Sequence, residues 1–223
     1  MRRVRDDPAN PDPGFAELYA WLPDATDLEP WLSLARQARP PILYLGAGAG
    51  RLAVPLFRSG VQLVAVDAHP GMVELLRSRL PDVPVHQAMI ESLALPARHD
   101  LVIAPSNILS TAERLIGAAR QLRAGGTLAF ELTNPHWLEA GASAGFRLLT
   151  MNRRTATAEI DYPNGYRQIA EIPLVWPEEI EDFLSMAGQR LVRIFGQRAG
   201  RGMAGLAESP TFFTVSRRPG SGS

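Results

Sequence analysis

A short apolar run that ends in a glycine-rich turn most strongly limits how this chain folds. Residues 41–45 predict a buried strand, and Gly46-Ala-Gly-Ala-Gly50 follows directly. Glycine has no Cβ, so such a turn brings bare backbone close to a ligand. A helix is predicted over residues 51–59, and the N–H groups at a helix start can hold a carboxylate or a phosphate. This order predicts a ligand-binding turn at one end of a buried strand.

Asp67 extends the same pattern. It closes a second apolar run, residues 61–66. In a parallel sheet, this places its carboxylate beside the glycine turn, where it can accept hydrogen bonds from both ribose hydroxyls of a nucleoside. Read from Gly48, the turn also fits the dinucleotide fingerprint G-x-G-x-x-A, with Gly50 and Ala53. The glycine spacing therefore predicts an adenosine-containing cofactor and leaves its identity open.

The remaining elements predict an α/β fold. Further strands are expected at residues 83–88, 100–104 and 127–132, alternating with helices at 71–80 and 112–122. Strands that are nearly continuous in apolar residues and alternate with helices indicate a parallel sheet covered on both faces. Strands at 191–195 and 211–216 follow a helix at 177–188. Between these parts, Asn164-Gly165 is a strong hairpin signal inside an inserted β segment, residues 146–172.

The domain organisation follows from these elements. Residues 15–218 are expected to form one domain, with an N-terminal helical lid at 15–39 and the inserted β segment at 146–172. Residues 1–14 and 219–223 are rich in proline, glycine and serine and are expected to be flexible tails.

Composition excludes several classes of function. The formal net charge is zero, so a nucleic-acid partner is not expected. No apolar run approaches the roughly 20 residues that span a bilayer, and no leader is evident, which predicts a cytoplasmic protein. Cysteine is absent and all 23 basic residues are arginine. Disulfides, thiolate sites and lysine-dependent catalysis are therefore excluded, and no His, Asp or Glu cluster has metal-ligand spacing.

Several segments resemble the class I S-adenosylmethionine-dependent methyltransferases. Residues 42–51, 64–72 and 100–105 are similar to the first, second and fourth motifs of that family, and residues 122–128 to the turn before its fifth strand. The resemblance runs from about residue 41 to residue 216. It implies a Rossmann-like, seven-stranded, mostly parallel sheet with helices on both faces and an antiparallel last strand. It also implies S-adenosylmethionine as the cofactor and a small-molecule methyl acceptor.

The resemblance assigns roles to individual residues. Gly46, Gly48 and Gly50 would line the methionine part of the cofactor, and Asp67 would hold the ribose. Ala68 and Met72 would pack against the adenine, and the Ile90 N–H would meet the adenine edge. The Ala104 carbonyl would face the cofactor amine.

Two positions depart from the family pattern. Tyr44 and Met89 stand where the family usually has acidic residues. A non-catalytic relative that binds the cofactor is therefore an alternative. An NAD(P)-dependent oxidoreductase is a less favoured one, and it would require a parallel sixth strand.

The acceptor is expected above the carboxyl ends of the fourth and fifth strands of the family fold. Asn107 follows the fourth strand, Asn134 and His136 follow the fifth, and Tyr19 lies on the helical lid. His136 is the candidate general base, although a helix cap or a solvent-facing side chain is the favoured explanation. The sequence allows a monomer or a homodimer.

Overall fold

The computed structural model describes residues 1–7, 10–141, 145–162, 164–196, 206 and 209–220. Its strands are β1 (Arg2–Arg5), β2 (Ile42–Leu45), β3 (Leu63–Asp67), β4 (Val85–Gln87), β5 (His99–Ala104), β6 (Leu122–Thr133), β7 (Phe146–Met151), β8 (Thr155–Asp161), β9 (Tyr166–Pro173), β10 (Arg190–Gly196) and β11 (Thr211–Arg217). Its helices are α1 (Pro13–Trp21), α2 (Trp31–Gln37), α3 (Ala53–Arg58), α4 (Pro70–Arg79), α5 (Ala112–Arg120), α6 (Pro135–Glu139) and α7 (Ile180–Ser185).

The main sheet has seven strands in the order β10-β11-β6-β5-β2-β3-β4. Strands β2 to β6 pair in parallel, whereas β11 is antiparallel to both β6 and β10. The predicted fold class, a seven-stranded and mostly parallel sheet with an antiparallel last strand, is confirmed. All four residues of β2 are buried, as expected for a central strand covered on both faces.

Helices cover both faces of this sheet. On one face, α2, α3 and α4 pack on a core that includes Ile42, Tyr44 and Ile103. On the other face, α5 and α7 pack on a core that includes Leu43 and Phe130. Side chains alternate between the faces along each strand, so neighbouring residues of β2 contribute to different cores. This packing brings the carboxyl ends of β2, β3, β5 and β6 to one edge, where the site lies.

A second sheet of four strands has the order β1-β9-β8-β7. The expected hairpin between β8 and β9 is present, with Gly165 at φ +82° and the Tyr162 N–H donating to the Tyr166 carbonyl at 2.9 Å. The inserted segment forms three antiparallel strands within the predicted range and one residue beyond it. Strand β1, which the sequence did not predict, completes the sheet by pairing in parallel with β9.

The expectation of a loose tail over residues 1–14 is wrong. Strand β1 lies within it, and Val4 is only 1% exposed, in a cluster with residues of α1 and α4. Asp12 caps α1 by accepting the Gly14 N–H at 2.9 Å. The helical segment at 15–39 corresponds to α1 and α2. Most of the other predicted tail, residues 221–223, and most of the glycine-rich loop at 196–210 lie outside the described residues.

Candidate functional site

The glycine turn follows β2 at the carboxyl edge of the sheet, and its three glycines have positive φ values of +66°, +55° and +89°. A Cβ on Gly46 would lie 2.6 Å from the Ile108 side chain, and one on Gly50 would lie 2.6 Å from Leu76. A Cβ on Gly48 would meet no atom within 4 Å. Gly46 and Gly50 therefore allow close packing within the protein, whereas Gly48 borders open space where a ligand fits.

Most backbone donors of this turn are already used by the protein. The Ala47 N–H donates to the Val66 carbonyl at 3.1 Å, and the Gly50 N–H donates to the Ala47 carbonyl at 3.1 Å. The Gly48 N–H donates to Asp67 Oδ2 at 2.7 Å. These three N–H groups are therefore engaged within the protein, and the open space beside Gly48 is what the turn leaves for a ligand.

Asp67 ends β3 and faces the glycine turn, as the sequence predicted. Its carboxylate accepts the Gly48 N–H at 2.7 Å and the His69 N–H at 2.9 Å. Burial raises the pKa of the Asp67 carboxyl, and these hydrogen bonds oppose that increase by stabilising the charged form. A carboxylate offers about four lone-pair positions, so both oxygens retain the capacity to accept ribose hydroxyls.

Residues after Asp67 tie α4 to α1. The buried His69 ring accepts the Gly71 N–H at Nδ1 (3.1 Å), and its Nε2 donates to the Asp12 carbonyl (3.0 Å). Met72 is 2% exposed and packs with Phe15 of α1 and neighbouring residues. Met72 therefore lies in a core rather than on the open wall where the resemblance places adenine. Ala68 remains half-buried.

The predicted adenine end lies where Ile90 begins a short 3-10 turn after β4. A Cβ on Gly117 of α5 would lie 2.1 Å from the Ile90 carbonyl oxygen, so only glycine permits this approach of helix and turn. Met89 beside it is 36% exposed. Ala104 is fully buried at the end of β5.

Tyr44 is buried on the face of the sheet that also carries Ile103 and Glu131. Burial raises the pKa of the Tyr44 hydroxyl well above its ordinary value, and the charges of Asp67 and Glu131 add to that increase. The neutral phenol therefore persists here at any physiological pH. Tyr44 thus removes the negative charge that the family usually has at this position.

Glu131 was not predicted as a site residue. Its carboxylate accepts the Ser106 N–H at 3.1 Å and the Thr211 hydroxyl at 2.6 Å. It supports a turn in which Ser106 and Asn107 have φ values of +63° and +62°. Non-glycine residues in this conformation are strained and are concentrated at functional sites. A carboxylate at the end of a buried strand is the sequence signal that would have identified it.

The two predicted asparagines hold the structure together. Asn107 Oδ1 accepts the Thr133 N–H at 2.9 Å, and its Nδ2 donates to the Pro173 carbonyl at 3.3 Å. Asn134 is fully buried, caps α6 and donates to the Leu206 and Ser209 carbonyls. Asn134 therefore has no exposed surface for a substrate, contrary to the prediction.

His136 lies on α6, and its partners belong to a different region. Its Nε2 is 3.0 Å from a Glu178 carboxylate oxygen, and its ring contacts the edge of Trp176 at 4.9 Å between centroids. Neither partner lies on the glycine turn, β3 or α1. The helix borders an open groove of about 550 Å³ lined by Leu138, Glu139, Leu148, Met151, Asn152, Arg153 and Trp176. The structure does not bring the candidate base together with the cofactor residues.

Tyr19 of α1 and Tyr162, which follows β8, pack against the buried cluster that contains Val4 and Met72. The Tyr162 hydroxyl donates to Gln168 Oε1 at 2.9 Å. Burial raises the pKa of both phenols, and the nearby Arg51 guanidinium opposes this increase. That Tyr19 contacts the acceptor stays a prediction.

The described residues contain no group of three or more His, Asp or Glu residues arranged to hold a metal ion. Among the helices that they form, none is long and apolar enough to cross a bilayer.

Comparison with known proteins agrees with this geometry. A family model described as a methyltransferase domain matches residues 42–126. An uncharacterized methyltransferase of Mycobacterium bovis is 35% identical over 112 residues, which is 49% of this chain and 44% of the relative. The matched stretch thus spans less than half of that relative's length.

Solved structures share the fold. The methyltransferase CcbJ from Streptomyces caelestis matches with a TM-score of 0.65 and 22% identity, covering 96% of this chain and 98% of that one. An amino pentose methyltransferase from Micromonospora echinaspora, CalS10, solved with S-adenosylmethionine bound, matches with a TM-score of 0.58 and 19% identity, covering 84% and 86%.

The sheet order and the glycine turn facing Asp67 define a Rossmann-like protein in which the last strand is antiparallel. That topology contradicts the parallel sixth strand expected of a dehydrogenase. In these features, and in the methyltransferase domain matched over residues 42–126, the chain is similar to the class I S-adenosylmethionine-dependent methyltransferases.

Proposed function

We propose that this protein transfers a methyl group from S-adenosylmethionine to a small-molecule acceptor. The observation that carries the proposal is the open space at Gly48, which faces the Asp67 carboxylate at the carboxyl edge of β2 and β3. The matched methyltransferase domain and the antiparallel β11 support the choice of cofactor.

The residues present fit that cofactor. Asp67 would accept the ribose hydroxyls, and the turn from Gly46 to Gly50 would line the methionine part. Ala68 and the Ile90 N–H would meet the adenine, and the Ala104 carbonyl would face the amine. Met72 would not contact the adenine but would hold α4 against α1 by packing in the cluster between them. S-adenosylmethionine supplies a methyl group already activated by a sulfonium, so the protein has chiefly to align the acceptor and exclude water.

A second candidate is a non-catalytic protein that binds the same cofactor. It is favoured by Tyr44, a buried neutral phenol where the family has a carboxylate, and by the exposed Met89. Glu131 argues against it, because this carboxylate lies near Tyr44 on the same face and keeps a negative charge at the carboxyl edge.

The acceptor class is supported by the amino pentose methyltransferase among the structural relatives. Action in the cytoplasm, the absence of a nucleic-acid partner and a monomeric or homodimeric state remain predictions from the sequence.

Calorimetric titration with S-adenosylmethionine, S-adenosylhomocysteine and NAD tests the proposal. We expect micromolar binding of both sulfur compounds and none of NAD. Asp67→Ala should abolish binding, whereas Asp82→Ala, at an exposed position between α4 and β4, should leave it unchanged. Unchanged affinity in Asp67→Ala, or no binding of either sulfur compound by the parent protein, would refute the cofactor assignment.

A further inference from the structure

Glu131 joins three elements at the carboxyl edge of the main sheet. It lies in β6, and its carbonyl oxygen accepts the Asn107 N–H at 3.0 Å. Its carboxylate accepts the Ser106 N–H at 3.1 Å and, at 2.6 Å, the hydroxyl of Thr211 in β11. The main chain and the side chain of Glu131 therefore both hold the turn that follows β5. Contacts from two different elements fix the position of the carboxylate.

These contacts leave the negative charge of Glu131 without a cation. Both donors, a backbone N–H and a hydroxyl, are uncharged. Within the part of the chain that the structure describes, no arginine or histidine forms an ion pair with this half-buried residue. Each carboxylate oxygen accepts one hydrogen bond and keeps a second lone pair. The carboxylate can therefore accept N–H groups from a cationic ligand.

The Glu131 carboxylate lies next to the backbone oxygen that we assign to the cofactor amine. The Ala104 carbonyl and the Ser106 N–H flank Pro105, and the carboxylate is bound to that N–H. Two hydrogen-bond acceptors, one of them charged, therefore meet at the end of β5. An ammonium group has three N–H donors and no acceptor, so it can use both oxygens at once.

Glu131 also shares a face of the sheet with Tyr44. The register pairs Tyr44 with Ile103, and Ile103 with Ala129, so these three side chains form one row. Side chains alternate along a strand, so Glu131, two residues after Ala129, points to the same face and lies nearer the carboxyl edge. In agreement with this placement, the charge of Glu131 raises the pKa of the Tyr44 hydroxyl. Glu131 thus puts a negative charge on the face where Tyr44 lacks one.

We propose that Glu131, together with the Ala104 carbonyl, binds the ammonium group of the methionine part of S-adenosylmethionine. From a different strand, Glu131 supplies the negative charge that the family usually has at the position of Tyr44. The neutral phenol of Tyr44 and the turn from Gly46 to Gly50 offer no such charge. This inference rests on the proposed cofactor and names the residue that holds one of its groups.

Calorimetric titration with four adenosine thioethers tests the contact. S-adenosylhomocysteine and its decarboxylated analogue carry the amine, whereas 5′-methylthioadenosine and the S-adenosylhomocysteine analogue without the α-amino group do not. We expect Glu131→Gln to weaken binding of the two amines by about 10- to 100-fold, the loss of one charge-assisted hydrogen bond. It should not weaken binding of the other two. The control Glu171→Gln, at an exposed position of β9, should bind all four as the parent protein does.

Two further variants separate this contact from support of the turn. Glu131→Asp keeps the charge on a shorter side chain and should retain part of the preference for the amines. Thr211→Val removes one hydrogen bond to Glu131 and no charge. It should therefore lower the thermal midpoint and leave the preference for the amines in place.

Three results would overturn the proposal. An equal loss of affinity for all four compounds in Glu131→Gln would show that Glu131 only supports the site. A parent protein that binds 5′-methylthioadenosine as tightly as S-adenosylhomocysteine would show that the amine adds nothing. Unchanged affinities together with slower methyl transfer would assign Glu131 to the methyl acceptor instead. Failure of the parent protein to bind any of the four compounds would refute the cofactor assignment itself.

Discussion

Replacing Gly48 by alanine separates the backbone role of the glycine turn from its role at the ligand. Gly48 has φ +55°, and a Cβ there meets no protein atom within 4 Å. The left-handed conformation costs an alanine about 1–2 kcal/mol, so the free energy of unfolding should fall by that amount. The new methyl group enters the space proposed for the cofactor. Crowding of about 1–3 kcal/mol would weaken S-adenosylhomocysteine binding roughly 5- to 150-fold.

Gly60→Ala is the matched control. Gly60 follows α3, has φ +88° and likewise has no atom within 4 Å of a built Cβ. It should lose the same stability and no affinity. Gly46→Ala adds a clash at 2.6 Å with Ile108, so its unfolding free energy should fall by about 2–5 kcal/mol. Urea unfolding without ligand measures the stabilities, and calorimetry with S-adenosylhomocysteine measures the affinities.

Two results would refute this reasoning. Equal S-adenosylhomocysteine affinities in Gly48→Ala and Gly60→Ala would mean that the cofactor does not occupy the space beside Gly48. A Gly46→Ala variant no less stable than Gly60→Ala would mean that Ile108 moves aside freely and that Gly46 is not required for packing.

Three other variants give further tests. Because burial raises the pKa of Asp67, the stability of the parent relative to Asp67→Asn should be highest below pH 3.8 and should fall as the pH rises through the raised value; a pH-independent difference in urea unfolding would contradict this. His136→Ala loses an exposed contact with Glu178 and an edge contact with Trp176, so the free energy of unfolding should change by less than about 2 kcal/mol and the rate of methyl transfer only slightly. A hundredfold slower transfer, the size of a general-base effect, would restore His136 as the base. Gly117→Ala should lose about 1–3 kcal/mol in thermal unfolding, since its Cβ would lie 2.1 Å from the Ile90 carbonyl; a gain in stability, usual for alanine in a helix, would contradict this.

The sequence predicts the central sheet well because local composition determines it. Strand β2 is apolar throughout and ends just before Gly46, so neighbouring residues in the sequence predict both its burial and its end. The position of Asp67 beside the turn follows from parallel pairing alone.

The remainder of the site depends on contacts between distant segments. Strand β1 contains a single buried residue, Val4, so no alternation marks it as a strand. Its partner is in β9, and only the folded chain brings Val4 and Tyr162 into one cluster. For the same reason, the sequence cannot show that the Asn134 side chain caps α6 and donates to the Leu206 carbonyl, which leaves it buried. Polar side chains after a strand predict the location of a site, but packing decides which of their hydrogen-bond donors and acceptors stay available to a ligand.

The pairing of β1 with β9 constrains the order in which the strands can pair during folding. Residues 2–5 are synthesised long before their pairing partners in β9, residues 166–169. Closing so long a loop is slow, and until it closes the outer edge of β9 offers unpaired backbone groups to other chains. The second sheet is therefore completed late in folding. Changes that weaken β1 should cause aggregation of newly made protein before they cause a loss of activity.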